Sequence, residues 1–561
     1  MRVLREQLAR RPRVFAFAFY LIAATLMFAR PVLAHPARDC ICVGTSHDPG
    51  IFAWAMQWWP HALLHGMNPF YTHLLYAPVG INLAHGQLVP GAALLLAPIT
   101  AAVGPIASYN VAMLLSPVLA AYFTFGLCRR LTGALWPSLL GGWLFGFSTY
   151  MLGQLTGHLH LTLIFLVPAI VHLTVVALQD GISRRRYGLL LGAALSAQFA
   201  FSTELLLSLT LFGGLALALG YGLAPPTVRR GLRGVIPAVA GGYALMALVV
   251  SPYLYFALRG GGIQVLAPRA EMFSNDLLGF AFPTDVTRLG RRYFAPLSFR
   301  FTAGVVEGAA YLGLPLLGIV AAYGVTEWRR RRAQLLLALF GLIVLASLGA
   351  RLHVAGVRTI PLPWSLFDEL PLVGAALPGR FIAFGGLAAA VMAALWLAGP
   401  ARHPRLRWGL AALAVIALLP NWSAPYWHGR PYVPAFFSGS THQRYVSSRD
   451  TVLILPIGIA GNAMLWHAQA GLDFRMAGGY TQPPEAPDPY KGDPIYPALT
   501  YLARVPDAVN AARRFIASKR IDAIVLEPHD VGPWPGWLAA MGLRPRAVGG
   551  VLLYRVTPMR A

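Results

Sequence analysis

The residues best suited to chemistry lie in short polar islands between long apolar runs. The first island is Ser46-His47-Asp48-Pro49-Gly50, followed by IFAWAMQWW, HGMNPF and YAPVGINL. Asp48, with His47 beside it, precedes an amphipathic, Trp-rich stretch at 51–65. That stretch is expected to lie flat at a membrane–water boundary, its indole rings at headgroup depth. A carboxylate held there can meet both a lipid-linked molecule and a water-soluble one. The plainer role is a helix cap over 49–65 with Pro49 in the first turn, and a cap would also fix the carboxylate's direction.

Further islands follow. Gly157-His158-Leu159-His160 starts an apolar run. His158 and His160, two residues apart, point to different faces of a helix, so they share a metal only in a non-helical turn. Otherwise they donate hydrogen bonds to a phosphate or sugar, or simply sit at the interface. Glu204 lies where two apolar runs meet. A carboxylate at membrane depth is costly and requires a partner, either a ligand or a structural Arg or hydroxyl. Glu307 opens an apolar run at 308–326, as a binding acid or as a helix N-terminal acid. Arg380, in Leu377-Pro378-Gly379-Arg380, precedes another run; its guanidinium has the fork geometry to grip a phosphate. Arg351, His353 and Arg358 are weaker candidates of the same kind, and all four could instead snorkel to headgroups. Asp276 and Asp285 fit sugar recognition or loop capping. Trp466-His467-Ala468-Gln469 and Tyr480 could stack on a sugar or form a packed surface.

The elements that position these residues follow from composition. Of 561 residues, 57% are hydrophobic and 12% charged, against about 45–50% and about 25% in a soluble domain. Many membrane spans are therefore expected. The formal charge of +24 suggests a nucleic-acid partner until the charges are located. Apart from Lys491 and Lys519 the basic residues are arginines, and many cluster between apolar runs: Arg129-Arg130, Arg184 to Arg186, Arg229-Arg230-Arg233, Arg329 to Arg332 and Arg402-Arg405-Arg407. That is the positive-inside pattern, and it excludes a polyanion groove.

Apolar runs at 14–34, 106–127, 133–150, 159–178, 187–201, 203–221, 235–257, 308–326, 334–350, 380–398 and 408–420 read as eleven spans. The first also resembles a signal peptide, but so many spans follow that it reads as a span. Treating 88–103 as an interfacial or re-entrant helix puts every arginine cluster inside; counting it as a span would put them all outside. The expected topology has the N-terminus in the cytoplasm and the C-terminus outside. A membrane domain over 1–420 carries outer loops 35–105, 258–307 and 351–379. An extracytoplasmic α/β domain occupies 421–561, with strands at 451–455, 523–526 and 551–556. It also has a helix at 507–519 capped by Asp507 and an extended Pro-rich loop at 481–497. Cys40 and Cys42 are too close to bridge without strain and read as incidental, as does Cys128.

The order of weak motifs resembles the GT-C superfamily of integral-membrane glycosyltransferases, in its large bacterial branch. The matching stretches are DPGIFAWAMQWWPHALLHGMNPF, GFSTYMLGQLTGHLHL, FSTELLLSL, VEGAAYLGLPLL and LPGRFIAFGGL. The resemblance covers roughly residues 10–420 and, more weakly, the tail. It implies a multi-pass enzyme of the bacterial cytoplasmic membrane. Such an enzyme transfers a hexosyl or pentosyl group, with inversion, from a polyprenyl-phosphate donor to an outer acceptor that is a glycan, lipid or protein. It implies Asp48 as general base. Members often carry paired acids in the first loop. Here His47 adjoins Asp48 and no acid follows before Asp180, so Mg²⁺ or Mn²⁺ is compatible with the chemistry but not required by it. His47, His158, His160, Glu204, Asp276, Glu307, Arg351 and Arg380 become the expected substrate- and phosphate-binding set.

No P-loop, dinucleotide fingerprint or HExxH is present, and the cytoplasmic loops are too short for a nucleotide site, which favours a lipid-linked donor. The alternatives are a lipid-linked glycan polymerase or ligase, which would rely on arginines; a lipid or polysaccharide transporter, for which no repeat is visible; and a non-catalytic scaffold, which leaves Asp48 unexplained.

Overall fold

The computed structural model describes residues 11–30, 32–43, 48–179, 181–259, 271–308, 310–370, 373–374, 376–481, 488–527 and 532–556. The chain divides into two compact units. The first comprises Met1–Pro31, Ala112–Ser251 and Ile263–Trp427; the second comprises Val32–Val111, Pro252–Gly262 and His428–Ala561. The tail thus groups with the first long loop rather than standing apart from residue 421.

Among the described residues, six helices are long and apolar enough to cross a membrane: Pro12–Ala29, Pro105–Thr132, Leu159–Leu178, Thr203–Leu223, Val228–Val249 and Pro378–Ala398. The other five expected spans are helical but fall short of that description. The run at 133–150 stops at Gly146, because Ser148 caps a separate helix, Thr149–Gln154. The run at 308–326 becomes helical only from Leu314, after Gly313 takes φ +81°. Arg184–Phe201 begins with three arginines, and Arg331–Ser347 and Pro404–Ala417 are shorter. The expected interfacial segment 88–103 forms two short helices, Pro90–Leu95 and Ala97–Val103, broken at Leu96.

In the first unit the centre is Ile382–Ala398, an Ala- and Gly-rich helix buried along almost its whole length. It packs on Leu135–Gly146, Leu314–Glu327 and Arg331–Ser347. Small residues set these distances. A Cβ added at Gly141 would lie 3.3 Å from the Ala390 carbonyl oxygen, and one at Gly192 would lie 2.9 Å from that of Gly242, where Arg184–Phe201 crosses Pro226–Val249. Close backbone approach of this kind is the usual basis of helix association in lipid, where apolar burial gives little driving force.

Nine strands are present among the described residues. They are β1 (Tyr71–Thr72), β2 (Ile81–Asn82), β3 (Arg351–Val354), β4 (Val357–Pro361), β5 (Thr451–Leu455), β6 (Arg475–Met476), β7 (Ala523–Leu526), β8 (Arg546–Val548) and β9 (Val551–Arg555). β1–β2 and β3–β4 are antiparallel pairs; the other five form one sheet in the order β6-β5-β7-β9-β8. β5 runs parallel to β6 and β7, while β9 runs antiparallel to β7 and β8. β5 and β7 are buried throughout, which accounts for their unbroken apolar sequence. The intervening helix, Ala508–Ser518, turns Ala511, Ala512, Phe515 and Ile516 inward. Asp507 does occupy its N-cap position, but in a left-handed backbone and with no cap bond from its side chain, which instead accepts from Asn510 Nδ2. Residues 482–487 of the Pro-rich segment lie outside the described residues; its last two, Tyr496 and Pro497, already begin the helix Tyr496–Tyr501.

Also in the second unit, the tryptophans of the Asp48–Leu64 helix are not open to headgroups as expected. Trp54 and Trp58 are fully buried and stack on each other at 5.3 Å, and Trp59 is nearly buried. Protein rather than headgroups surrounds these rings, because the helix packs on Ala463–Gln469. Trp54 Nε1 donates to His467 Nδ1 at 3.1 Å, and His467 Nε2 lies 2.8 Å from the Phe474 carbonyl. These two partners require the tautomer with the proton on Nε2. Cys40 and Cys42 form a disulfide, with Cα atoms 5.3 Å apart, within bridging range and contrary to the incidental role expected. Cys40 also exchanges two backbone hydrogen bonds with Gly429. Asn110 Oδ1 accepts from Ile41 N, and its amide donates to the carbonyls of Pro36 and Asp39.

Burial lowers the His467 pKa to about 4. A histidine depressed in the fold contributes stability above its unfolded value of about 6.5, and that contribution is lost as pH falls through 4. The difference is worth roughly 3 kcal/mol. The melting temperature of the purified protein should therefore fall between pH 6.5 and 4, and His467→Gln should flatten that slope. A wild-type profile already flat over this range would contradict the assignment.

Candidate functional site

Arg380 lies in the 3-10 turn Pro378–Phe381, immediately before the central helix. The turn is pinned on both sides of Gly379. Its amide donates to the Phe273 carbonyl at 2.8 Å, and its carbonyl accepts from Asn275 Nδ2 at 2.9 Å. A Cβ at 379 would lie 2.7 Å from the Phe273 oxygen, so the approach depends on glycine. Phe381 packs edge-on against Phe212 and Trp364.

Two carboxylates meet this guanidinium. Glu204 is in the first turn of Thr203–Leu223, whose N-terminus is capped by Ser202 Oγ, and the helix dipole there favours a negative charge. Glu307 does not open the following helix, as expected from sequence. It closes a separate helical turn, Gly304–Glu307. Arg380 Nη1 donates to Glu204 Oε2 at 2.7 Å. Its Nε and Nη2 donate to the two Glu307 oxygens at 3.1 and 2.5 Å, a bidentate fork. Gln154 Nε2 reaches Glu307 Oε2 at 3.4 Å. His158 Nδ1 lies 2.8 Å from Gln154 Oε1 and 3.7 Å from Glu307 Oε1. The side chains of Arg380, Glu204 and Glu307 are 13%, 17% and 9% exposed, so the cluster is shielded but reachable.

The cluster therefore unites His158, Glu204, Glu307 and Arg380, four of the sequence candidates. One cation against two anions leaves it net negative when His158 is neutral. Burial would raise the Glu307 pKa, but the charges of Arg380 and His158 and the Arg380 and Gln154 hydrogen bonds together hold it at about 2. A carboxyl depressed in this way contributes stability above its unfolded value and loses it only as pH falls through about 2, so the pair stays charged over the working range. Arg380 does not present a free fork to a phosphate: three of its nitrogens already donate to carboxylates, and an approaching anion would meet both of them.

The other candidates have separate settings. His160 is buried in the short helix Leu159–Thr162. Asp276 is buried and accepts from the amides of Leu278, Ala355 and Gly356, so its carboxylate holds the β3–β4 turn. Arg351 and Arg358, on those strands, flank Glu271 at 3.7 and 3.4 Å; His353 is buried. Asp285 accepts from Asn421 Nδ2 and from Tyr426 Oη. In the second unit Trp466 and His467 are buried packing residues.

Asp48, also in the second unit, is the first residue of its helix and half-buried; His47 lies outside the described residues. A small cleft beside it is lined by Pro49, Gly50, Ala53, Tyr109, Asn462 and Leu465. Sequence reasoning passed over Asp39, the other acid of this loop. Asp39 is buried and takes Arg430 Nε at 2.6 Å and Nη2 at 3.2 Å. The Arg430 hydrogen bond lowers its pKa. Its position nine residues before Asp48 was visible, but its distant partner was not. Among the described residues, no three His, Cys, Asp or Glu side chains are grouped to hold a metal.

The family described as "Domain of unknown function (DUF6311)" matches residues 17–420. The chain belongs to the DUF6311 family. No curated protein matches this DUF6311 chain in sequence. Solved structures do match its fold. ArnT from Cupriavidus metallidurans, bound to undecaprenyl phosphate, matches with TM-score 0.51 and 14% identity, covering 97% of this chain and 98% of ArnT. The Archaeoglobus fulgidus oligosaccharyltransferase, in a complex with Zn and sulfate, matches with TM-score 0.55 and 13% identity, over 96% and 73% of the two chains. The arabinofuranosyltransferase AftD from Mycobacteria matches with TM-score 0.52 and 15% identity; 97% of this chain covers 41% of AftD. At such identities the likeness is one of fold alone, a GT-C-like fold as the sequence motifs suggested.

Removing the shared cation should be the most damaging single change in the cluster. Arg380→Met leaves two close carboxylates without compensation, and a loss of about 3–5 kcal/mol is expected. Adding Glu204→Gln and Glu307→Gln to Arg380→Met should recover a large part of it. Thermal unfolding of the single and triple variants measures this; equal stability of wild type and Arg380→Met would show that the ion pairs are not structural.

Proposed function

We propose that this chain is a membrane glycosyltransferase of the bacterial cytoplasmic membrane. It transfers a sugar from a polyprenyl-phosphate carrier to an acceptor on the outer side, with Asp48 as general base. The observation that carries this reading is the GT-C fold over almost the whole chain, shared with three proteins that include an oligosaccharyltransferase and an arabinofuranosyltransferase. The carrier class is supported by ArnT, solved with undecaprenyl phosphate. Asp48 suits the base because it lies in a helix's first turn beside a cleft, on a helix held rigid by buried indoles.

In this reaction the acceptor hydroxyl oxygen attacks the anomeric carbon from the side opposite the phosphate, and Asp48 takes the hydroxyl proton. The bond from the anomeric carbon to the phosphate oxygen breaks, and the electron pair leaves with the lipid phosphate. One base suffices, because phosphate is a good leaving group; the developing charge requires cationic stabilisation rather than a strong acid. The residues described offer no grouped metal ligands, so no step is assigned to Mg²⁺ or Mn²⁺. A lipid-linked glycan polymerase or ligase is the second reading. It uses the same side of the membrane and the same class of donor, but would depend on arginines rather than on Asp48.

Membranes supplied with radiolabelled polyprenyl-phosphate sugars test the proposal. Asp48→Asn should lower transfer by about 10²–10⁴-fold while leaving thermal unfolding unchanged. A folded Asp48→Asn protein with the wild-type rate removes Asp48 from the mechanism; no transfer by wild type from any donor in the panel removes the donor class.

A further inference from the structure

The leaving phosphate requires cations, and Arg380 is already committed to two carboxylates. Elsewhere in the same unit, Asp285 and Glu307 bracket a stretch with four arginines, Arg288, Arg291, Arg292 and Arg300, and no acid between them. All four are exposed, as are Tyr293 and Phe299 of the same stretch, at 59% and 57%. Arg291 Nη1 lies 3.5 Å from Asp285 Oδ2. Among the described residues Arg288, Arg292 and Arg300 have no carboxylate partner; Arg292 lies over the Tyr293 ring at 5.4 Å.

This segment is held in place. Arg288 N donates to the Leu419 carbonyl and Asn421 N to the Val286 carbonyl, both at 3.0 Å. The β3–β4 turn closes on its far end, where a Cβ at Gly356 would overlap the Arg300 carbonyl oxygen. Residues 419–421 follow the Ala417 end of Pro404–Ala417, whose opposite end carries Arg402, Arg405 and Arg407. Fourteen helical residues separate those ends by about 21 Å. If the Arg402–Arg407 cluster is inside, the Arg288–Arg300 patch is at the outer end of the unit. Uncompensated arginines there run against the usual charge bias of membrane loops, and that calls for an anionic partner.

We propose that Arg288 and Arg292 bind the phosphate of the polyprenyl carrier, with Tyr293 and Phe299 of the same stretch taking its chain, an inference that rests on the donor proposed above. Guanidinium groups suit a terminal phosphate, and the exposed rings suit the isoprenoid chain attached to it.

The test uses full-length protein in phosphatidylcholine nanodiscs titrated with undecaprenyl phosphate, with undecaprenol as the uncharged control. The double variant Arg288→Ala/Arg292→Ala should weaken undecaprenyl phosphate binding by at least about tenfold, a loss of about 1.4 kcal/mol or more. The double lysine variant should keep most of the affinity, and undecaprenol should bind wild type and both variants alike. Arg291 is left in place because it contacts Asp285. Unchanged affinity in the alanine variant overturns the inference alone and leaves the donor assignment standing. So does complete competition by phosphatidylglycerol nanodiscs, which would assign the patch to bilayer headgroups. Wild-type protein that does not bind undecaprenyl phosphate overturns both.

Discussion

One guanidinium shared by two carboxylates governs the polar end of the helical unit. Arg380 joins Glu204 and Glu307, with Gln154 and His158 behind them, so five residues from four distant stretches of chain converge on one charge centre. In a largely apolar protein an uncompensated charge at this depth would cost several kcal/mol. The segments carrying these residues are therefore tied to one another as well as to their own helices. The same logic extends outward from Gly379. The Phe273–Asn275 strand of chain is bonded to it, Asp276 follows directly, and the Asp276 carboxylate organises the β3–β4 turn.

The second unit is organised around the Asp48–Leu64 helix, whose first residue is half-buried and whose body is enclosed. Trp54 and Trp58 are enclosed, and Trp54 is bonded to a histidine whose tautomer is fixed by a carbonyl behind it. Upstream, the Cys40–Cys42 disulfide, the Asn110 hydrogen bonds and the Asp39–Arg430 pair anchor the chain that leads into Asp48.

Charge distribution links these local facts to function. The transfer proposed above requires a base and positive charge that is not already spent. The residues that looked like the natural phosphate ligand do not meet the last condition. Arg380 is neutralised twice over and Arg351 and Arg358 flank Glu271, whereas among the described residues Arg288, Arg292 and Arg300 have no carboxylate partner. A shared fold does not by itself fix sugar or acceptor.

The sequence alone determined what depends on local composition. Apolar runs marked helices, the unbroken apolar segments marked β5, β7 and β9, and the motif order marked the GT-C fold. The demand that Glu204 have a partner, an Arg or a hydroxyl among the choices, was also legible, because the cost of a lone carboxylate in an apolar setting is independent of the fold. Tertiary structure decided which partner it was. It placed Arg380 between Glu204 and Glu307, buried the tryptophans that amphipathicity assigned to the interface, and gave Asp276 to backbone amides. Helix breaks at Ser148 and Gly313 likewise shortened runs that hydropathy alone reads as continuous. The reason is physical. Hydrophobic patterning is read within a few turns of chain, whereas an ion pair between residues 204 and 380 depends on distances set only when the helices pack.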